Sequence, residues 1–386
     1  LLDYLRKEGD GARANMHSDL DDLNLKVVAP LATGQTLTLK ANYYGERSKV
    51  TYSGLREDEY RADPRQNPFR NDQFTGRRLG VSVLHTYELR EGALLTTQLY
   101  GSSFSRDWWR QSSNSNQRPN DSGDPACGGM ANLGTSCGNE GRLRDYMLWG
   151  LEPRLRLGHG LFGASGEAEV GLRLHFEDQE RRQENGATPT ARTGSVVENN
   201  ERANRAFSLF FQERLLLGKW TLTPGLRTER IRFERTNRLA NEGEGVSGST
   251  SLTQLIPGLG ATYTPSDRVT LFAGVHRGFA PPRTEDIINN AGGTVDLDPE
   301  LSWNYEVGIR SSLRPGVRLD ATLFRLDYEN QIVPASLAGG IGAGLTNGGR
   351  TRHQGIEFGA QLGTAELLGS AHNVYLRGAF TYLPTA

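Results

Sequence analysis

Between His276 and Leu362 the chain reads HRGFAPPRTEDI (276–287), DLDPELSWNYEVGIR (296–310), FRLDYENQIV (324–333) and NGGRTRHQGIEFGAQL (347–362). Trp303, Tyr305, Val307 and Ile309 alternate with Asn304, Glu306, Gly308 and Arg310. The same period returns in Ile356, Phe358, Ala360 and Leu362 against Glu357, Gly359 and Gln361. A period of two places one kind of residue on each face of an extended strand, so both segments are strands with one oily and one polar face. Loops rich in Gly, Pro, Asn and Asp precede them, while the hairpin between turns on Arg314-Pro315-Gly316. Long and short connections in alternation are the signature of a membrane β-barrel.

The pattern extends along the chain. Leu23, Leu25 and Val27, then Leu37, Leu39 and Ala41, then Leu79, Val81 and Val83 each alternate with polar neighbours. Two of the longest runs are Met147 to Leu157, with Glu152, Arg154 and Arg156 on the other parity, and Ala168 to Phe176, with Glu169, Arg173 and His175. Each apolar run covers about ten residues, enough to cross a bilayer at a tilt, where soluble strands usually stop at five or six. Turns are expected at 30–34, 90–92, 218–219 and 265–267, and polar loops at 52–74, 111–141 and 178–204. Trp108 and Trp109 close a strand, where an interfacial aromatic girdle or the cap of a soluble core would place them. The apolar parity changes between Leu226 and Ile231, which predicts a β-bulge near Arg227–Arg230.

Composition agrees. Of 386 residues 36% are hydrophobic and 23% charged, mean hydropathy is -0.55, and 47 are glycine. There is no apolar run long enough for a transmembrane helix, which excludes a helical membrane protein but not a barrel, where only alternate residues meet lipid. A net charge of -1 without a basic, aromatic-interleaved block gives no sign of nucleic-acid binding. Seven histidines, at 17, 85, 159, 175, 276, 353 and 372, show no metal-ligand spacing, and no nucleophile motif points to an enzyme. Asp21-Asp22 and Asp296 with Asp298 lack the spacing of a cation cage.

In order and spacing, the PPRTEDI, DLDPELSWNYEVG, DYENQI and NGGRTRHQGIE runs resemble the TonB-dependent outer-membrane receptors, and among them the ferric dicitrate receptors. The resemblance implies an all-β, antiparallel transmembrane barrel of which residues 1–386 supply about 15 of roughly 22 strands, the size class of plugged transporters. Plug and TonB-contacting segment would then lie outside this chain. It further implies import of a ferric siderophore or ferric dicitrate across the outer membrane of a Gram-negative bacterium. Outer-membrane lipid and the TonB complex would be partners, and iron would be present only as part of the cargo, with no resident cofactor. A passive porin, or a soluble extracellular β-protein that binds a ligand, is the alternative.

By parity Arg106 and Arg110, at the top of one strand, and Arg142 and Arg144, at the start of the next, point into the lumen near its outer mouth. Guanidinium forks match multi-carboxylate ligands, and a ferric citrate complex presents such a surface. The competing role is wall packing against Glu152, Glu167 and Glu169. Arg283 and Glu285, within PPRTED, would serve the loops that close over substrate in this family. Cys127 and Cys137, in CGGMANLGTSC, are expected to close a loop as a disulfide in an oxidising compartment, since a redox or zinc pair would need further ligands that are not nearby.

Overall fold

The computed structural model describes residues 1–51, 54–67, 69–110, 139–161, 163–186, 190–334, 345–369 and 371–385. Cys127 and Cys137 lie outside them. The strands are β1 (Leu2–Asp10), β2 (His17–Ala32), β3 (Gln35–Lys49), β4 (Gln73–Arg90), β5 (Ala93–Arg110), β6 (Asn139–Leu161), β7 (Ala164–Gly186), β8 (Ser195–Leu217) and β9 (Trp220–Asn237). They continue as β10 (Val246–Ser266), β11 (Val269–Ala280), β12 (Glu300–Arg314), β13 (Val317–Glu329), the short pair β14 (Ile332–Pro334) and β15 (Leu345–Asn347), then β16 (Thr351–Gly363) and β17 (Tyr375–Thr385). All but β14 and β15 form one antiparallel sheet of 15 strands, each hydrogen-bonded to its predecessor in the sheet, with β1 and β17 as its edges. Among the described residues the helices are α1 (Glu57–Ala62), α2 (Thr284–Ile287), α3 (Thr364–Leu368) and a 3-10 turn at Asn241–Gly243, and none is long and apolar enough to cross a membrane.

Register decides which way the oily face looks. Val27 pairs with Leu39, Leu39 with Val83, Val83 with Leu99, Leu99 with Leu151, Leu151 with Leu174 and Leu174 with Phe207. One apolar row thus crosses seven strands, and among the described residues the other sheet is the two-stranded β14–β15 pair. Large hydrophobics on this face remain open, Leu99 at 51%, Met147 at 54% and Leu323 at 52% exposure. Among the described residues only eight hydrophobics are buried. A water-soluble sandwich would hide these rows between its sheets, whereas a barrel in lipid turns them outward.

Aromatic contacts mark the edges of the apolar band. At its upper edge Trp149 stacks on Phe176 at 4.0 Å, with Asp145 and Asp178 following above on the same face. At the lower edge Trp220 meets Tyr263 at 4.7 Å beside the Gly218-Lys219 turn. From Trp149 to its turn the strand climbs about 40 Å along its axis, or about 30 Å upright at the usual tilt, close to the height of an outer-membrane apolar band. The expected Trp108–Trp109 girdle is not formed. Trp108 faces the lumen with the Arg110 guanidinium 5.0 Å from its ring, and Trp109 is 5% exposed, its ring covering Gly141.

The strands exceed the lipid-spanning length. β6, β7 and β8 have 23 residues each, and most of the stretch expected as a polar loop at 178–204 is ladder in β7 and β8. Above the membrane water bathes the outer face, so polar residues on both faces are compatible with an extended wall. The turns fall where Gly and Pro place them. Gly316, for example, has φ +76°, and a Cβ there would stand 2.5 Å from the Gly363 carbonyl.

The β-bulge expected at Arg227–Arg230 is absent: β9 pairs with β10 without a slip from Val246↔Asn237 to Tyr263↔Trp220. The apolar residues change face while the backbone keeps its register. Ile231, Phe233 and Leu252 point inward and pack against Ile287 and Ile288 of the 281–299 loop, where Phe233 and Ile288 are 3% and 0% exposed.

Candidate functional site

That loop is docked to the lumen wall. Arg235 donates to the Ile288 carbonyl at 2.6 Å and to Asn200 Oδ1 at 3.0 Å, and it also bonds Asn290. Thr284 Oγ1 donates to Asn204 Oδ1 at 2.8 Å, and Val295 N–H to the Ile287 carbonyl at 2.8 Å. Apolar burial beneath Phe233 and the guanidinium fork of Arg235 together hold α2 against β8 and β9.

Opposite α2 the wall is strongly basic. Arg106 on β5 pairs in register with Arg144 on β6, and Arg144 with Arg181 on β7. All three point inward, and Arg202 on β8 joins them one row away, opposite Gln179. Like charges directly across a ladder repel, so this row needs anions. Arg181 has them: Glu198 at 2.8 Å and Glu285 at 3.3 Å. Arg202 reaches Glu285 at 2.7 Å. Arg144 is 4% exposed and donates only to the Leu143 and Arg182 carbonyls, at 2.9 and 3.1 Å. Among the described residues neither Arg144 nor Arg106 has a carboxylate within ion-pair distance, and Arg106 Nε is buried without a partner.

Arg106, Arg142, Arg144, Arg283 and Glu285, five of the six ligand-binding candidates, line one cavity of about 600 Å³ together with Arg181 and Arg202. Arg110 does not. It is 3% exposed and bound to Glu140 at 3.0 Å, a wall contact that also engages Arg142. The glutamates expected as packing partners serve a lower tier, where Glu169 meets Arg156 at 3.3 Å and Glu152 and Glu167 face Arg173 and Arg156 at 3.9 and 3.8 Å. A larger hollow of about 900 Å³ is lined mainly by residues of the outward parity, such as Leu79, Met147, Asp145 and Asp178, so it belongs to the outer surface.

Arg181 and Arg202 are not legible as site residues in the sequence, because 178–204 carries polar residues on both parities, as a loop does. Carrying the parity of Arg173 and His175 onward through β7 would have pointed Arg181 inward. Glu177 on β7 also lines the cavity, and Glu285 is the carboxylate that the loop brings to it. Burial pushes its carboxyl up, but Arg202, its own backbone N–H, Arg283 and Arg181 outweigh that and hold it below the usual glutamate value. Arg283 is 70% exposed, with its fork on Asp286 at 2.8 and 3.1 Å. A desolvated cluster of guanidinium groups with one carboxylate on an inserted loop can bind a compact polyanion through several charge-assisted hydrogen bonds.

The family described as TonB dependent receptor-like, beta-barrel, matches residues 19–386. The vitamin B12 transporter BtuB of Vibrio vulnificus (strain YJ016) is 35% identical over 100 residues, 26% of this chain and 16% of that protein. The metal-pseudopaline receptor CntO of Pseudomonas aeruginosa (strain UCBPP-PA14) is 28% identical over 183 residues, 46% of this chain and 24% of that receptor. The ferric citrate transporter FecA, solved in its unliganded form, superposes with a TM-score of 0.81 at 21% identity, covering 99% of this chain and 54% of that one. The chain therefore spans about half the length of that transporter, and the likeness to it concerns the fold.

Proposed function

Because the chain belongs to the TonB-dependent receptor β-barrel family, transport receptors of the Gram-negative outer membrane, we propose that it captures a ferric chelate for TonB-driven import, with ferric citrate as cargo. The observation that carries this reading is the inward row Arg106, Arg144 and Arg181, two of whose members have no carboxylate partner among the described residues. Three like charges on adjacent strands oppose folding of the bare wall, and a polycarboxylate relieves the repulsion while forming charge-assisted bonds. The chelate enters from the outer mouth, contacts the guanidinium wall and is faced from the other side by 281–285. The structural likeness to a ferric citrate transporter is consistent with this cargo.

Growth with ferric citrate as sole iron source tests it. The intact gene supports growth, and deletion abolishes it. The double variant Arg106→Gln, Arg144→Gln, present in the outer membrane at normal level, loses most of its growth and of its iron uptake. Unchanged uptake by that variant would remove ferric citrate, and polycarboxylate chelates with it, from this cavity.

A further inference from the structure

We propose that Glu285 is an internal stand-in for a ligand carboxylate, holding the Arg181–Arg202 pair until a polycarboxylate displaces it. The inference rests on the reading of this cavity as an anionic-chelate site. Glu285 uses one oxygen for each guanidinium, Oε1 at 3.3 Å from Arg181 Nη1 and Oε2 at 2.7 Å from Arg202 Nη1. A bound carboxylate bridging two arginines would have the same arrangement. The Arg202 side chain is 4% exposed and its Nε is unpartnered, and the position Glu285 occupies is one from which a carboxylate meets Arg181 and Arg202 together. A buried guanidinium left without an anion is heavily penalised. While it is ionised, Glu285 therefore leaves by exchange for another anion.

The loop is built for such an exchange. Its far half is fixed, with Ile287 and Ile288 packed on Phe233 and Arg235 bonded to the Ile288 carbonyl. In its near half Thr284 is buried and bonded to Asn204, while Arg283 is mostly exposed. Glu285 stands between them, so its side chain can swing into the aqueous lumen while the anchor remains seated. A monocarboxylate replaces one contact with another and gains little. A ligand with several carboxylates also engages Arg106 and Arg144, which Glu285 does not serve, so displacement selects for polyanions. The exchange breaks and forms ion pairs only.

The test uses the detergent-purified protein titrated with ferric citrate. Occupancy of the arginine pair by Glu285 lowers apparent affinity by the fraction of time the pair is free, so Glu285→Gln is expected to bind about tenfold more tightly than the unaltered protein. In the unaltered protein, hydrogen exchange at 284–286 speeds up on ferric citrate addition while 287–288 stay protected, a result that does not depend on any variant folding. Equal or weaker binding by Glu285→Gln, or added protection at 284–286, overturns the stand-in role while leaving chelate binding intact. Absence of ferric citrate binding in every form overturns the reading of the cavity, and the stand-in role falls with it.

Discussion

Leu323→Arg tests the orientation of the whole wall. Leu323 is 52% exposed and sits between Val307 on β12 and Ile356 on β16, both on the oily face. From the Arg314–Val317 turn it lies roughly 20 Å along the strand and about 15 Å upright, near the middle of the apolar band. An arginine facing lipid at the midplane costs about 2–4 kcal/mol, a shift of roughly 30- to 1,000-fold in the folding equilibrium. The matched control is Thr322→Arg, one residue away on the lumen face, where it lies beside Glu357 and changes stability by about 0.5 kcal/mol or less. Urea unfolding of the protein in lipid vesicles, followed by tryptophan fluorescence, measures both. A neutral Leu323→Arg with a destabilising Thr322→Arg would reverse the two faces and refute the barrel assignment.

Phe233→Ala empties the pocket under the 281–299 loop and should cost about 3–5 kcal/mol of packing, felt locally as protease cleavage within 281–299 while the sheet keeps its unfolding midpoint. The Glu285 carboxyl titrates below its ordinary value of about 4.3, so its hold on the loop is complete above that value and is lost as pH falls through the depressed one. Protection from hydrogen exchange at 283–286, taken relative to the intrinsic exchange rate at each pH, should therefore be flat from neutral pH down to about 5 and fall only below the ordinary carboxylate range, with Glu285→Gln flat throughout. A fall beginning near neutrality would assign the loop's hold to another group.

How far the sequence could be followed depends on what forces its pattern. Where lipid meets the wall, each strand must turn an apolar side chain outward at every second position, and Met147–Leu157 or Trp303–Ile309 disclose strand and face alike. Above the lipid that demand ends. Residues 178–204 carry charge on both parities and resemble a loop, yet ladder hydrogen bonds hold most of them in β7 and β8. The parity change at Ile231 came from a contact distant in sequence, since Phe233 faces inward to receive Ile287 and Ile288. Trp108 and Trp109 sit at a strand end, but above the apolar band, so strand ends and membrane surface do not coincide there.

The chain's own pattern determined the class of fold, the near-even rhythm of turns and loops, and the inward parity of Arg106, Arg110, Arg142 and Arg144. Those follow from local geometry, because a pleated strand alternates its faces wherever it lies. Tertiary structure decided which arginines share a cavity, that Arg110 is taken by Glu140, and that Glu285 reaches Arg181 and Arg202. Ion pairs between strands and loops far apart in sequence depend on the register of the sheet between them, and a period of two carries no information about distance across it.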